Sequence, residues 1–421
     1  MQHHLDAADF GSRGDAITGA IQACVHCGLC LSACPTYQVL GEEMDSPRGR
    51  IYLMKGVLEG ELAAADAQRY LDCCLGCWAC VPACPSGVAY GELLMHYRAV
   101  IRGHERRSWL DAATRKMLVE TLPYPGRFRA ALAAGRVGRA MQGVLPEAWR
   151  GMFDLLPAAP PASDPLPDMF PALGRRRARV ALLSGCVQSV LAPEINWATL
   201  RVLAQNGVET VVPSTQGCCG AILMHLGEEK AARGLARHNL QVFPQDVDAI
   251  LTNAAGCGSG MHEYRLLFAG EEDQTAAEAF AARVLDVSVF LDQLGLEPPA
   301  PLPIPLRVAY HDACHLLHAQ GIRDQPRKLL AAIPNVELLE LNDGGQCCGS
   351  AGVYNLVQPE IARRLGDRKA TRIVETRADA VVTGNIGCLM QIEAHFRRQA
   401  IDLPVYHTIT LLDRAYQTGD G

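Results

Sequence analysis

No run of roughly 18 apolar residues, the length of a membrane-spanning helix, occurs in this chain. The N-terminus, MQHHLDAADFGSRGDAI, lacks a basic n-region and an apolar h-region, so no signal peptide is expected. Any membrane association is therefore expected to be peripheral or through a partner. Basic excess is also missing: the net charge is −6, which argues against a general nucleic-acid binder. Charged residues make up only 20%, slightly low for a free-standing soluble protein, which points to covered surface. No G-x-G-x-x-G follows a strand-like run, so no dinucleotide-binding turn is expected. The chain has 421 residues, too many for one core, and two or three domains are expected.

Cysteine is abundant, with 17 residues clustered at metal-ligand spacing. That clustering implies reduced thiols and a cytosolic face rather than a disulfide scaffold. Cys24, Cys27, Cys30 and Cys34 read C-V-H-C-G-L-C-L-S-A-C-P, and Cys74, Cys77, Cys80 and Cys84 read C-L-G-C-W-A-C-V-P-A-C-P. C-x₂-C-x₂-C-x₃-C-P is the bacterial ferredoxin pattern for a [4Fe–4S] cluster, and two copies imply two cubanes. Three cysteines at intervals of three can face one cubane from a tight loop. The fourth ligates the partner cluster, because the chain turns away at Pro35 or Pro85. One cluster is thus expected on Cys24, Cys27, Cys30 and Cys84, the other on Cys74, Cys77, Cys80 and Cys34. Zinc also binds paired C-x₂-C motifs, but four cysteines with a trailing proline in each run favour iron–sulfur. Cys73 has no spacing role. Val25, Leu29 and Trp78, lying between the ligands, are expected to exclude water from the cubanes.

Residues 1–100 form the expected cluster-binding head. Between its cysteine runs, Ser46 reads as the N-cap and Pro47 as the first residue of a helix. Arg48 and Arg50 in its first turn oppose the helix dipole. They read either as counter-charges to an anionic cluster or as partners of carboxylates. Residues 101–178 combine a helical segment with a Pro-rich linker over 157–178. The helical part carries Arg102, Arg106, Arg107, Arg115, Lys116, Arg127, Arg129, Arg136 and Arg139. A solvated helix face is the plainer reading of that segment, and contact with anionic lipid or a partner the other.

The remainder repeats itself. R-V-A-L-L-S-G-Cys186, Q-G-Cys218-Cys219-Gly220 and T-N-A-A-G-Cys257 recur as R-V-A-Y-H-D-A-Cys314, G-Q-Cys347-Cys348-Gly349 and T-G-N-I-G-Cys388. The offset stays near 130 residues throughout, and a Pro-rich seam follows Glu297. Two homologous α/β lobes are expected, over 179–296 and 305–421. Each cysteine follows a β-branched run that ends in a loop, as in strand–loop–helix units of a parallel sheet. Ligands of such sheets sit beyond the carboxyl ends of the strands, so the thiols should converge there. Cys186, Cys218, Cys219 and Cys257, then Cys314, Cys347, Cys348 and Cys388, are candidate ligands of a further cluster or of zinc. Glycine after each Cys-Cys pair permits close backbone approach, and Gly256 and Gly387 suggest tight turns. His225, His262, His311, Asp312 and His315 flank these thiols, either as ligands, proton relays or hydrogen-bond donors to sulfur, or as plain structural residues. The fold class is multidomain, α+β and α/β: a helical two-[4Fe–4S] ferredoxin-like head, then two α/β lobes with parallel sheets.

This combination resembles the iron–sulfur subunit family of bacterial glycolate oxidase (glycolate dehydrogenase), whose lobes are termed CCG domains. C-V-H-C-G-L-C, C-P-T-Y-Q-V-L-G, D-S-P-R-G-R-I-Y-L, C-P-S-G-V, G-C-C-G-A, Q-C-C-G-S-A-G-V-Y and T-G-N-I-G-C carry the likeness, from Ala23 to the end. The Arg-rich middle contributes least. The resemblance implies a complex in which FAD-binding subunits oxidise glycolate to glyoxylate. This subunit would relay the electrons to a membrane quinone, at the cytoplasmic face of the inner membrane. No catalytic residue and no FAD site is then expected in this chain. Wider relatives include subunits of heterodisulfide reductase and anaerobic glycerol-3-phosphate dehydrogenase. In the catalytic subunit of the former the lobe ends in C-x-x-C, whereas Gly260 and Gln391 stand at that place here. That departure weighs against the alternative, a catalytic disulfide reductase. A subunit serving lactate, another 2-hydroxy acid or glycerol-3-phosphate is a further alternative.

Overall fold

The computed structural model describes residues 4–101, 104–140 and 163–418. Arg102 and the start of the Pro-rich segment, 157–162, lie outside the described residues, as do the side chains of Arg136 and Arg139.

The head is helical. Helix α1 (Gly14–Gln22) precedes the first cysteine loop, and α2 (Pro35–Leu40) starts on the proline that ends it. Helix α3 (Pro47–Leu58) follows, with the Ser46 hydroxyl accepting from the Gly49 N–H and Pro47 in the first turn. Helices α4 (Ala64–Asp72) and α5 (Tyr90–Val100) bracket the second cysteine loop. Ile17, Ile21, Met54, Leu71, Leu93 and Tyr97 form the core between them.

Helices α6 (Trp109–Thr121) and α7 (Pro125–Ala140) carry Arg115, Arg127 and Arg129, while Arg106 and Arg107 lie just before α6. Arg107 pairs with Asp72 at 2.7 Å, Glu105 at 2.7 Å and Asp111 at 3.0 Å. Arg115 reaches Asp111 at 3.0 Å, and Arg127 meets Glu120 at 2.9 Å. These three arginines are matched to carboxylates and do not form a free cationic face. Among the described residues no helix is long and apolar enough to cross a membrane.

Two sheets follow. The first contains β1 (Met169–Phe170), β2 (Ala178–Leu182), β3 (Val208–Val211), β4 (Ala249–Thr252) and β5 (Val284–Asp286) in the order β1-β3-β2-β4-β5. All its pairings are parallel except β1 with β3. The second contains β6 (Leu306–His311), β7 (Val336–Glu340), β8 (Ala380–Thr383) and β9 (Val405–His407), all parallel, in the order β7-β6-β8-β9. With the sequence offset applied, the parallel parts have the same strand order. Strands β4 and β8 are buried along their whole length, as expected of strands covered by helices on both faces.

The Pro-rich seam does not divide the packing. Val180, Leu182, Leu203 and Leu251 from one sheet region share a continuous core with Val308, Tyr310, Val382 and Leu412 from the other. Across that junction Arg201 forks onto Asp413 at 3.0 and 2.6 Å. Tyr416 takes a 3.1 Å bond from Asn206 and donates at 2.6 Å to the Glu297 carbonyl. The two sheets therefore fold against each other as one body.

Glu263, buried beneath the first sheet's cysteines, gives a pH test of this packing. Burial pushes its carboxyl up to about 7. The folded state then holds a proton that the unfolded state releases above its ordinary pKa. Stability from this group therefore falls as pH rises from about 4.5 through 7. Glu263→Gln removes that loss. Its unfolding free energy in urea should lie within about 1 kcal/mol of wild type at pH 5 and exceed it at pH 8 by about 3 kcal/mol at most. Equal midpoints at both pH values would contradict the assignment.

Candidate functional site

Each cysteine run folds as a loop with two left-handed residues. In the first they are His26 (φ 55°) and Gly28 (φ 83°), in the second Gly76 (φ 63°) and Trp78 (φ 59°). Glycine and non-glycine have exchanged places between the two loops. Such alternation turns successive N–H groups inward, a concavity that suits an anion. The His26 N–H bonds the Cys24 sulfur, and the Gly76 and Ala79 N–H groups bond Cys74 and Cys77. His26 and Trp78 have no glycine-like freedom, so the loop fold holds them in a costly conformation.

The eight thiols divide into two sets of four across the runs. Cys24, Cys27, Cys30 and Cys84 line one recess with Pro47, Arg48 and Pro85. Cys34, Cys74, Cys77 and Cys80 line the other with Pro35, Arg50 and Tyr90, and Cys80 also borders the first. The fourth cysteine of each run thus faces the recess of the other run. Inward amides, four thiols per recess and a buried cation beside the second set fit a thiolate-held anionic cluster.

That cation is Arg50, 1% exposed. Its guanidinium reaches the Cys34 sulfur at 3.8 Å, the Thr36 hydroxyl at 3.0 Å, the Tyr70 carbonyl at 2.7 Å and Asp45 at 3.4 Å. The Tyr90 hydroxyl donates to the Cys74 sulfur at 3.6 Å. Burial pushes the Cys74 thiol up, but Arg50, Arg98, the Gly76 amide and Tyr90 together hold it below the ordinary thiol range. Arg48 differs. It forks onto Glu43 at 2.7 and 3.0 Å and donates to the His26 carbonyl at 3.0 Å. Cys73 joins neither recess, and burial pushes its thiol up to about 11.

The recesses differ in exposure. Val25 is 68% and Leu29 58% exposed, with Cys27 open beside them. These two side chains point to solvent and do not exclude water, contrary to the expectation from their spacing between ligands. Their counterparts in the second loop, Leu75 and Ala79, are buried. The second recess is covered because the lobes pack on it. Cys77 shares an apolar cluster with Cys314, Cys347 and Tyr354. His315 Nε2 lies 2.9 Å from the Gly76 carbonyl, and the Tyr354 hydroxyl donates to the Cys73 carbonyl at 2.9 Å.

The lobe cysteines all lie beyond the carboxyl ends of their strands. One cavity of about 140 Å³ is lined by Cys186, Cys219 and Cys257 from the first lobe and by Cys314, Cys347, Cys348 and Cys388 from the second. Cys218 lies just behind, its sulfur 3.2 Å from that of Cys186. The Cys314 and Cys347 sulfurs are 4.0 Å apart. Gly220 and Gly349, both left-handed, donate their N–H to the Cys218 and Cys347 sulfurs at 3.4 Å. At Gly349 a Cβ would stand 2.7 Å from the Ala362 carbonyl, so the glycine is required there. Gly256 and Gly387 are not at tight turns. They lie in the first turns of the helices Ala255–His262 and Ile386–Arg398, which present Cys257 and Cys388 to the cavity.

The flanking residues separate by role. Asp312 forks onto Arg327 at 2.8 Å and is structural. His262 lies away from the cavity, whereas His225 and His315 line it, their rings 5.3 Å apart. Burial lowers His225 to about 3, so it is neutral at physiological pH. His315 connects the cavity to the head through Gly76. A ligand atom of His311 and the sulfurs of Cys348 and Cys388 lie within 4.8 Å of one another, all buried. Asn385 and Tyr90 contact the thiols although cysteine spacing does not mark them. Asn385 donates to the Cys388 sulfur at 3.4 Å, and its mismatch with Ala254 in the repeat is the signal that marks it. Tyr90 has no such signal.

No fifth thiol fits the first lobe. A Cβ at Gly260 would lie 2.6 Å from the Ala221 Cβ. Gln391 of the second lobe is bound to Asn355 at 2.9 Å and to His395 at 3.2 Å.

The chain is similar to known proteins along most of its length. A family profile described as "4Fe-4S dicluster domain" matches residues 20–88, and one described as "Cysteine-rich domain" matches residues 180–262 and 308–393. A "Probable glycolate oxidase iron-sulfur subunit" of Bacillus subtilis is 38% identical over 402 residues, covering 91% of this chain and 90% of the relative. The "Glycolate oxidase iron-sulfur subunit" of Escherichia coli is 36% identical over 404 residues, covering 94% of each. A crystal structure of a hypothetical protein from Helicobacter pylori superposes with a TM-score of 0.54 at 8% identity. It covers 88% of this chain and 68% of that one, a likeness of fold alone.

Proposed function

The chain belongs to the family of glycolate oxidase iron–sulfur subunits, and from that premise we propose how its parts serve a quinone-linked glycolate-oxidising complex. It is the electron-transfer subunit, receiving electrons from FAD-binding partner subunits that convert glycolate to glyoxylate. It passes them to a membrane quinone while bound peripherally at the cytoplasmic face. Cys24, Cys27, Cys30 and Cys84 hold the first [4Fe–4S] cluster. Cys74, Cys77, Cys80 and Cys34 hold the second. When bound, such clusters accept and release single electrons, which suits a chain fed by a two-electron flavin.

The observation that carries this reading is the unequal exposure of the two recesses. Cys27, Val25 and Leu29 open the first to the surface, where a flavoprotein can approach. Leu75, Ala79 and Cys77 seal the second against Cys314 and Cys347. The chain's residues thereby give the path a direction, from the open loop through the buried one to the lobes. Arg50 supplies fixed positive charge beside the second set of thiols, and the loop amides supply hydrogen bonds to sulfur in both. Residues 1–100 act as the receiving unit, 101–178 as connection, and 179–296 and 305–421 as the delivering lobes. Gly260 and Gln391, filling the places a fifth thiol would need, speak against a disulfide reductase.

Leu29→Glu tests the direction of flow. It puts a charge on the open face without touching a ligand. The expected result is about a tenfold slower reduction of the chain by its glycolate-reduced flavoprotein partner, a cost of about 1.4 kcal/mol. Iron content and reduction by dithionite should be unchanged. An unaltered rate from the flavoprotein would place electron entry elsewhere.

A further inference from the structure

We propose that the second lobe holds a transition-metal centre in which the His311 imidazole is a ligand together with the Cys348 and Cys388 thiolates. The first lobe's repeat cannot build this donor set.

The argument starts from burial. His311 ends strand β6 and is 1% exposed. Neither ring nitrogen meets an oxygen or nitrogen partner, and the polar group the ring addresses is the Cys388 sulfur. Leaving a buried polar atom unpaired costs about 1–3 kcal/mol, so such a ring needs a reason. One nitrogen and the Cys348 and Cys388 sulfurs lie within 4.8 Å of one another, the spacing three ligands of one ion adopt. Asn385 donates to the Cys388 sulfur at 3.4 Å, a contact that favours the thiolate form needed for ligation. Cys347, adjacent in sequence, and Cys314 line the same cavity and can complete the coordination.

The internal repeat gives an independent comparison. Aligned on Cys186 and Cys314, His311 falls on Leu183, an apolar core residue. Aligned on Cys257 and Cys388, Asn385 falls on Ala254. Both polar groups that address Cys348 and Cys388 are therefore missing from the first lobe, although its four cysteines are present. A structural requirement of the lobe fold would appear in both copies. A requirement of a ligand held only by the second lobe would appear in one, as it does.

The donor set selects the class of metal. Imidazole with thiolate suits zinc or iron and does not suit magnesium or calcium. Replacing one thiolate by neutral imidazole removes negative charge from the site. If iron is held there, the substitution raises its potential relative to an all-thiolate site. That would make the second lobe the better electron sink of the two.

The test uses the full chain purified anaerobically, with His311→Leu and Cys388→Ser beside it. His311→Leu installs the side chain the first lobe already buries. X-ray absorption at the zinc and iron edges and pulsed EPR of the reduced protein are the readouts. In wild type, a nitrogen scatterer at about 2.0–2.1 Å at the zinc edge identifies zinc. A ¹⁴N coupling on an iron–sulfur signal identifies iron. His311→Leu should abolish that nitrogen signature, and Cys388→Ser should lower the metal content, with the head's cluster signals intact. Wild type showing no nitrogen-ligated metal overturns the proposal, whether or not the variants fold. So does a His311→Leu protein that keeps both its metal content and its nitrogen signal.

Discussion

Arg50→Met should destabilise the head by about 3–5 kcal/mol and strip the second cluster from the protein. The guanidinium is fully buried and serves four partners at once: Cys34 sulfur, Thr36 hydroxyl, Tyr70 carbonyl and Asp45. Methionine fills the volume but leaves the Asp45 carboxylate buried without its cation and the thiol set without fixed positive charge. Burial already raises the Asp45 carboxyl, with Arg50 opposing that rise, so removing Arg50 pushes it further toward the protonated form. Arg50→Lys keeps the charge but cannot fork across Thr36, Tyr70 and Cys34, and an intermediate loss is expected. Urea unfolding and iron per chain after anaerobic purification measure both effects. Unchanged iron and an unchanged midpoint in Arg50→Met would reduce the arginine to packing.

Cys34→Ser and Cys84→Ser should each damage the cluster of the opposite run. The Cys34 thiol lines the recess of Cys74, Cys77 and Cys80, and Cys84 lines that of Cys24, Cys27 and Cys30. EPR of the reduced variants distinguishes the two centres. Cys34→Ser should lose or convert the buried centre and keep the exposed one, which the Leu29 face identifies through its access to solvent relaxation agents. Cys84→Ser should do the reverse. Each variant losing the centre of its own run would reject the crossed pairing. The effect is large because a serine oxygen is a poor replacement for a thiolate that iron prefers.

Much of this arrangement is legible in the sequence, because ligand spacing and repeats survive without knowledge of packing. The proline after each fourth cysteine turns the chain out of its own loop, and the place of Cys34 in the recess of the other run follows from that. The 130-residue offset gives two sheets with one strand order, since a repeated pattern of strand, cysteine and helix has few ways to fold. What is not legible depends on which surfaces meet. Val25 and Leu29 are as apolar as Leu75 and Ala79, yet only the second loop is covered, because the lobes pack on it. Proline-rich residues after Glu297 look like a boundary. The core nevertheless runs through, carried by the Arg201–Asp413 fork and the Tyr416 hydroxyl. Gly256 and Gly387 look like turn residues but begin helices. Arg107 and Arg115 look like part of a basic face until Asp72, Glu105 and Asp111 are placed beside them. Contact between His315 and Gly76 joins residues 239 apart, a distance no local pattern can report.

The central claim is that electrons from glycolate pass through this chain, and rapid-freeze EPR of the complex with its flavoprotein partner tests it most directly. Glycolate should reduce the centre on the exposed loop first and the buried centre next, before quinone is reduced, and the sequence should stop at the first centre in Cys34→Ser. Full-rate reduction of quinone by glycolate, with neither centre becoming reduced on the way, would contradict the account.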